Sequence, residues 1–336
     1  MTGAISSLRQ ARRIKEVFDP IRPRLALVET FLQREMAEAL PMVGEVGGYA
    51  IGSGGKRLRP ALVLLISRLF GYTGERDIRY GGVVELIHTA TLIHDDIIDG
   101  SDLRRGQATA NRRWGNEPTV LVGDWLYTRA MDLCLEYGDV DIMRRLITAT
   151  LQMTEGEILA SQVRGRVDIT EEIYMDITRR KTAELFAAAC AVPALFQPST
   201  LHYTDTLLEF GRDLGRCFQL IDDLLDFTSD RKNLGKPVMA DLREGRATLP
   251  ILLLLPKLDR RTRDAVAAVA QGREFSEDLT AEALLEMVRT SGVLDQTRQR
   301  AMDYADRATA HALKLPEGPE REALITAARV LVQRTS

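Results

Sequence analysis

Apolar residues recur along the chain at the spacing of helices and not at that of strands. The pattern is clearest over residues 204–227, where apolar positions step by three or four residues: Leu207, Phe210, Leu214, Phe218, Ile221 and Leu225. Such steps place the side chains on one face of an α-helix. Breaks rich in Gly and Pro divide the rest of the chain into roughly a dozen helices of about 12–25 residues. The pattern predicts an all-α fold.

Signals for strands and for domain boundaries are scarce. The only Asp-Gly pair, Asp99-Gly100, lacks alternating apolar flanks, and no Asn-Gly pair occurs, so the usual hairpin turns are missing. No low-complexity linker or shift in composition divides the 336 residues. A chain of this length buries a core without disulfides or metal. We therefore expect residues 1–336 to form a single helical domain.

Composition excludes several classes of protein. The chain has 45 Lys and Arg against 48 Asp and Glu, a formal charge of -3, which argues against a nucleic-acid partner. The longest apolar runs are far shorter than the ~20 residues of a membrane span, and the N-terminus has no signal-peptide core. The three widely spaced cysteines fit free buried thiols of a reducing compartment: Cys134, Cys190 and Cys217. We expect a soluble, cytoplasmic protein with at most peripheral membrane contact.

Two aspartate clusters lie inside strongly apolar helical segments. The first cluster is the DDIID of Asp95, Asp96 and Asp99, and the second cluster is the DDLLD of Asp222, Asp223 and Asp226. On a helix, the first and last members of each cluster share a face, where like charges repel unless a cation is present. Oxygen ligands without His or Cys favour magnesium or manganese, which are commonly shared with substrate phosphates. The clusters therefore predict two metal sites for a phosphorylated ligand, and a solvated acidic face is the alternative.

A di-iron helical bundle is a second metal hypothesis. Glu85 and His88 form a Glu-x-x-His sequence, but such a site needs a second copy. None of the other three histidines has a glutamate three residues before it. The ligand count therefore disfavours di-iron chemistry.

Basic residues gather near predicted helix starts. Lys56, Arg57 and Arg59 follow two glycines and flank Pro60, an arrangement that suits an anion. This segment is not a nucleotide-binding P-loop because GxxxxGK[ST] is absent, and a solvated turn is the alternative. Further cations occur at 104–105, 179–181 and 236. With the two acidic clusters, these cations predict two polyanionic substrates, one held through metals and one held directly by cations.

Five ordered motifs resemble the hallmark regions of the trans-prenyl diphosphate synthases, the polyprenyl synthetase family. They lie within about residues 54–250: GGKRLRP, ELIHTATLIHDDIIDGSDLRRG, RRKTAEL, FQLIDDLLD and NLGKP. The stretches HTATLIHDD and ANRRWGNEPTVLVGDWLYTRA are most similar to long-chain members that make quinone side chains, such as octaprenyl diphosphate synthases. The resemblance implies an isoprenoid synthase-like helical bundle around a deep central cavity, and a homodimer.

The resemblance also implies the reaction. Isopentenyl diphosphate units would be condensed onto an allylic diphosphate such as farnesyl diphosphate, with magnesium as the cofactor and manganese as the alternative. Metal ions and cations would stabilise the charge that builds on the departing diphosphate. The apolar sequence around both clusters would supply walls that exclude water.

By the same resemblance, each site residue has an expected role. The metal ligands are Asp95, Asp99 and Asp222, and the other catalytic residues are Asp96, Asp223, Asp226 and Lys181. The isopentenyl diphosphate site consists of Lys56, Arg59, His88 and Arg105. The allylic diphosphate site is completed by Arg104, Lys181, Thr182, Gln219 and Lys236. Many relatives have E-G-K-x-T where this chain has Arg246 in EGRAT; since Arg changes the hydrogen-bond geometry, Arg246 is left outside the predicted site.

Small residues precede the first cluster. Ala90 and Thr91 stand five and four positions before Asp95, and Thr91 shares a helix face with it. In short-chain relatives an aromatic residue at this position closes the pocket. The resemblance therefore predicts that the pocket is open at residues 90–91 and that its floor is formed deeper, by apolar residues at about 146–151. The alternative is that Ala90 and Thr91 are ordinary small packing residues.

Three other functions stay open. A shorter-chain farnesyl or geranylgeranyl diphosphate synthase would share the chemistry. A non-catalytic subunit of a heteromeric synthase is expected to lose aspartate motifs, whereas this chain retains both. A class I terpene cyclase has a second motif resembling N-x-x-x-S-x-x-x-E, whereas this chain has a second DDxxD.

Overall fold

The structure is a computed structural model that describes residues 18–104, 106–228, 238–277 and 279–332. Over these residues the helices are α1 Arg22–Glu38, α2 Pro41–Gly52, α3 Leu58–Leu69, α4 Arg76–Ile98, α5 Ala110–Trp114, α6 Asn116–Glu136, α7 Val140–Val163, α8 Glu171–Thr178, α9 Glu184–Ala191, α10 Thr204–Thr228, α11 Ala240–Arg243, α12 Leu249–Leu254, α13 Arg260–Ala270, α14 Ala281–Thr290, α15 Val293–Ala312 and α16 Pro319–Val332. The prediction of an all-α fold is confirmed.

Shorter elements join these helices. There are 3-10 turns at Asp19–Ile21, Val192–Phe196, Pro198–Tyr203 and Leu255–Lys257, and a π-helical turn at Arg179–Ala183. A small antiparallel hairpin pairs β1 Leu103–Arg104 with β2 Gln107–Ala108. Sequence patterns did not predict this hairpin because its strands have only two residues each. Short helices such as α5 and α11 also make the list longer than the dozen that was predicted.

Helix α4, which carries the first cluster, runs through the middle of the core. It packs against α1, α3 and α6. Apolar residues are buried on all sides of it, including Tyr80, Val83, Val84 and Leu86, as expected of a helix surrounded by others. The first cluster therefore lies at the end of a helix that its neighbours hold rigidly in place.

Helix α10, which carries the second cluster, packs between α9 and α15. Of its predicted apolar stripe, Leu207, Phe210, Leu214 and Ile221 are buried. Glycine at 211 permits close contact with α9, because a Cβ there would lie 2.6 Å from the Cα of Ala187. None of the described helices combines the length and the apolar character that crossing a bilayer requires.

Candidate active site

A cavity of about 600 Å³ lies between α4, α7, α8, α10 and the segment 241–248. Both aspartate clusters contribute to its wall. The predicted site residues on the wall are Arg59, His88, Thr91, Asp95, Asp99, Arg104, Lys181, Thr182, Gln219, Asp222 and Asp223. The fold therefore brings together side chains that four of the five sequence motifs supply.

The other predicted residues lie elsewhere. Asp96, Asp226 and Ala90 are buried behind the wall, and Lys56 is exposed outside it. Two more predicted residues lie outside the described part of the chain: Arg105 and Lys236. The isopentenyl diphosphate site predicted from the sequence is thus represented on the cavity wall by Arg59 and His88.

Cations surround the first cluster. The Nζ of Lys181 lies 3.5 Å from Asp95 and also pairs with Glu157 of α7. Burial raises the pKa of Asp95 to about 6, against the opposing charge of Lys181. Buried carboxylates of this kind gain free energy when a cation joins them. The cavity end of α4 is thus suited to positive charge.

Asp99 lies among arginines. Arg246 donates to it at 2.9 Å, and Arg164 also forms an ion pair with it. Burial acts to raise the pKa of Asp99, but the charges of Arg246, Lys181 and Arg164 outweigh it, so the pKa lies below its ordinary value. Asp99 is therefore a carboxylate in the unliganded cavity.

Asp96 has a different environment from its two neighbours in the cluster. It is buried, and the Nε of Arg104 lies 2.9 Å from each of its carboxylate oxygens. Arg104 itself reaches the cavity wall from β1. Asp96, which is buried behind the wall, thus orients the guanidinium of Arg104 on the wall.

The second cluster divides in the same way. Asp222 and Asp223 both contribute to the wall, but Asp223 is buried and accepts hydrogen bonds from Gln219 at 2.9 Å and from the hydroxyl of Tyr174. Burial raises the pKa of Asp223 to about 8. Asp226 accepts from the backbone N–H of Ala240 at 3.1 Å, and burial raises its pKa to about 7. Asp226 therefore anchors the segment that leads to the cavity residues 241–248.

A π-helical turn interrupts the rod formed by α8 and α9. It covers Arg179–Ala183, and it places Lys181 and Thr182 on the cavity wall. Thr182 donates to the side-chain oxygen of Gln219 at 2.9 Å. Such turns occur frequently at functional sites because the extra residue re-aims the side chains.

The structure adds wall residues that the sequence patterns did not single out. They include Glu157, Arg164, Tyr174 and Asp241, together with Arg246, which had been left outside the predicted site. Arg246 bridges Asp99 at 2.9 Å and Asp241 at 2.7 Å. Its place within the EGRAT segment was the available signal, whereas the others follow no motif.

Besides Oε2 of Glu157, which forms an ion pair with Lys181, two buried polar atoms at the wall have no hydrogen-bond partner among the described residues. They are Nε of Arg59 and Oγ1 of Thr248. Burial lowers the pKa of Arg59 to about 10, so the side chain remains a cation at neutral pH, and it packs 4.3 Å from the ring centroid of Phe186. Unpartnered buried groups are rare in proteins and indicate a polar ligand. An anionic ligand fits both the charge and the open donor.

Arg57, next to this site, has a structural role. Its guanidinium pairs with Glu29 at 2.6 Å and with Glu85 at 2.7 Å. Glu85 is therefore engaged in an ion pair and does not act as the first ligand of a di-iron site. Of the cations in the GGKRLRP motif, Arg59 is the one on the cavity wall.

The carboxylates suit a metal ion that is shared with a ligand. In the ranges that the structure describes, no three His, Cys, Asp or Glu side chains gather as a complete metal-binding group. The cavity instead presents Asp95 and Asp99 from one helix and Asp222 from another. Magnesium typically takes one or two carboxylates and fills its remaining positions with water and substrate phosphates. The donor set therefore fits a hard cation that a polyphosphate ligand helps to bind.

Comparisons with known proteins identify a family. Residues 41–288 match the sequence profile described as polyprenyl synthetase. The chain is 40% identical over 314 residues to octaprenyl diphosphate synthase of Escherichia coli (strain K12), covering 92% of this chain and 95% of that protein.

Solved structures extend the likeness to three dimensions. A decaprenyl diphosphate synthase from Rhodobacter capsulatus is 35% identical with a TM-score of 0.87, over 96% of this chain and 99% of that one. A polyprenyl synthase from Caulobacter crescentus CB15, complexed with calcium and isoprenyl diphosphate, is 34% identical with a TM-score of 0.88, over 96% and 98%.

Proposed function

We propose that this chain, which belongs to the polyprenyl synthetase family, is a long-chain trans-polyprenyl diphosphate synthase whose product is octaprenyl diphosphate, for quinone side chains. The chain is a prenyltransferase, and its family uses a divalent metal and isoprenoid diphosphate substrates. The observation that carries the proposal is the meeting of both aspartate clusters with Lys181, Arg104 and Arg246 around one cavity.

The proposed reaction breaks one bond and forms another. The allylic C1–oxygen bond of farnesyl diphosphate or a similar primer breaks, and its electron pair leaves with diphosphate. The double bond of isopentenyl diphosphate then bonds to C1, and the new chain loses a proton, which the departing diphosphate accepts. A bound magnesium or manganese ion would supply Lewis-acid stabilisation of the leaving group.

Two groups of side chains are proposed to bind the metal ions and the diphosphate. Asp95, Asp99 and Asp222 are the proposed metal ligands, and Lys181 and Arg104 donate to the diphosphate oxygens. Preorganised donors of this kind stabilise charge where it develops. We add Arg246 to this set because it lies on the wall within reach of Asp99. The remaining proposed members are Asp96, Asp223 and Asp226, which support the metal site, and Thr182, Gln219 and Lys236 of the allylic site.

The second substrate occupies the proposed site near α3. Arg59 supplies a cation whose buried Nε is an open donor, and His88 lies on the same wall. The proposal keeps Lys56 and Arg105 as the other members of this site. Isopentenyl diphosphate bound there is held directly by cations, without aspartates.

The growing chain is proposed to descend past Thr91. Thr91 is on the cavity wall, whereas Ala90 is 2% exposed in the core. Of the residues expected to form the floor, Leu146 is buried, but Ile147 and Leu151 are exposed. We therefore propose Leu146 as the floor residue of that segment and Thr91 as the residue that sets the width above it.

An exposed apolar stripe supports the expectation of a homodimer. On α7 it comprises Val140, Ile147, Leu151 and Ile158, which are 36% to 56% exposed. Spacings of seven, four and seven residues place them on one helix face. Exposed apolar side chains that share one helix face favour an interface. We propose that a second copy covers it.

The cellular setting completes the proposal. The three cysteines are free and buried, as a reducing compartment favours. We propose a cytoplasmic enzyme formed by a single polyprenyl synthetase domain over residues 1–336, with at most peripheral membrane contact during product release and with no nucleic-acid partner.

The test is a measurement of product length. Purified protein is incubated with magnesium, farnesyl diphosphate and labelled isopentenyl diphosphate, and the dephosphorylated products are resolved by chain length. The proposal predicts magnesium-dependent products near forty carbons. A product of twenty carbons would retain the chemistry and replace the long-chain assignment with the shorter-chain synthase. Failure to elongate, with intact magnesium-dependent diphosphate binding, would favour the non-catalytic subunit.

A further inference from the structure

Tyr174 of α8 lies on the cavity wall and hydrogen-bonds to the second cluster. Its side chain is largely buried, with the residue 7% exposed, and its hydroxyl donates to Oδ2 of Asp223. Asp223 is 2% exposed, and its Oδ1 accepts from Nε2 of Gln219 at 2.9 Å. The two carboxylate oxygens of Asp223 are thus both engaged by protein donors.

This arrangement fixes the orientation of the Gln219 amide. Nε2 of Gln219 donates to Oδ1 of Asp223 at 2.9 Å, so the amide turns its nitrogen toward Asp223. Its oxygen then faces Thr182, whose hydroxyl donates to it at 2.9 Å. Four side chains from three elements form one directed chain of hydrogen bonds: Tyr174, Asp223, Gln219 and Thr182.

The chain ends where the reacting groups are expected to lie. Thr182 follows Lys181 in the π-helical turn, and both line the cavity. Because Thr182 donates its single proton to Gln219, it presents its oxygen lone pairs to other groups. The second amide hydrogen of Gln219 remains available as a donor. The directions of these two groups depend on the anchored carboxylate.

We propose that Tyr174 is a positioning residue for the condensation, acting through Asp223 and Gln219 on Thr182. The inference rests on the proposed function. Without the Tyr174 hydroxyl, Oδ2 of Asp223 loses its donor, and the carboxylate is free to rotate. The side chains of Gln219 and Thr182 then lose their fixed orientations, although the backbone positions of both residues are unchanged.

The chain offers a matched control in Tyr80. Tyr80 is 0% exposed, and its hydroxyl donates to Oδ2 of Asp139 at 2.6 Å. Tyr80 and Asp139 are absent from the cavity wall. Tyr80→Phe therefore removes a comparable buried bond between tyrosine and aspartate, without any link to Thr182.

The experiment compares Tyr174→Phe with Tyr80→Phe under steady-state elongation with magnesium. We expect Tyr174→Phe to lower kcat by about 10- to 100-fold, the effect of small misplacement in an active site, with the KM for isopentenyl diphosphate unchanged. Tyr80→Phe should keep the wild-type kcat. Thermal unfolding of both variants reports the structural cost of each lost hydrogen bond.

A double-mutant cycle tests the route of the effect. Thr182→Val should lower kcat less in the Tyr174→Phe background than in the wild type, because the chain of hydrogen bonds is already broken. In the Tyr80→Phe background its effect should be undiminished. Equal effects of Thr182→Val in all three backgrounds would overturn the proposed route through Gln219.

The outcomes separate this inference from the function on which it rests. A wild-type protein that does not elongate refutes the proposed function. An active wild type with wild-type kcat in Tyr174→Phe overturns the inference alone. If Tyr174→Phe does not fold, Asp223→Asn is measured in its place. The asparagine amide oxygen still accepts from Tyr174, but its NH2 group faces the NH2 group of Gln219 and cannot accept from it. Asp223→Asn should lower kcat and diminish the Thr182→Val effect, and wild-type kcat in Asp223→Asn would also overturn the inference.

Discussion

Replacing Thr91 with phenylalanine should shorten the product. Thr91 lies four residues before Asp95 on α4, about 6 Å along the helix at 1.5 Å per residue. Its hydroxyl donates to the backbone oxygen of His88 at 2.8 Å and holds no other described side chain. The substitution therefore adds bulk one turn below the proposed metal site and removes only a hydrogen bond to the backbone of its own helix.

The size of the effect follows from packing. Phenylalanine adds four non-hydrogen atoms, on the order of 100 Å³ if each occupies about the 30 Å³ of a water molecule, within a cavity of about 600 Å³. Forcing additional carbons past such an obstruction costs about 1–3 kcal/mol. Each elongation step that must pass residue 91 should slow by about 5- to 150-fold. Product release then competes, and farnesyl or geranylgeranyl diphosphate should dominate.

The assay resolves the alcohols from labelled isopentenyl diphosphate by chain length. Thr91→Val is the matched control, since it removes the hydroxyl without adding bulk, and it should keep the wild-type product. Ala90→Tyr places its ring in the core and should lower the free energy of unfolding by about 1–3 kcal/mol. An unchanged product distribution in folded Thr91→Phe would refute the assignment of the tunnel to this face of α4.

Three further results are expected. Arg246→Met should lower kcat/KM for the allylic diphosphate by about 10- to 150-fold, the effect of losing a hydrogen bond to a charged group. The control Arg246→Lys keeps the charge and should lie nearer to the wild type. Wild-type kinetics in Arg246→Met would show that Arg246 does not belong to the site. Gly211→Ala should lower the free energy of unfolding in urea by about 1–3 kcal/mol, because its Cβ would meet α9 backbone at 2.6 Å, whereas Gly48→Ala meets nothing within 4 Å and should not destabilise. Thiol reagents should label the native protein far more slowly than the unfolded chain. The reason is that burial raises the pKa of all three cysteine thiols, Cys134, Cys190 and Cys217. Equal labelling rates for the native and unfolded protein would contradict their burial.

The sequence predicted those parts of the fold and site that local patterns encode. The stripe from Leu207 to Ile221 identified α10, since helical spacing is a property of one segment. The clusters and the motif cations were found for the same reason, because each motif is contiguous. Most of them meet at one cavity.

The residues that were missed depend on contacts between distant segments. Tyr174 and Glu157 have ordinary helical surroundings in sequence, and their roles arise only where α7 and α8 meet α4 and α10. The family resemblance had selected Arg59 over Arg57, but the physical reason, that Arg57 pairs with Glu29 and Glu85, is visible only in the fold. The π-helical turn also has no sequence signature, although it aims two of the predicted residues.

The central claim is that metal ions held by both aspartate clusters bind the diphosphate. Calorimetric titration of inorganic diphosphate into the wild-type protein, with magnesium or with a chelator, tests it most directly, with Asp95→Asn and Asp222→Asn alongside. The account predicts tight binding only with magnesium, weakened by substitution at either cluster. Equal affinity in the chelator, or binding that neither substitution weakens, would show that the cations alone hold the diphosphate and would contradict the account.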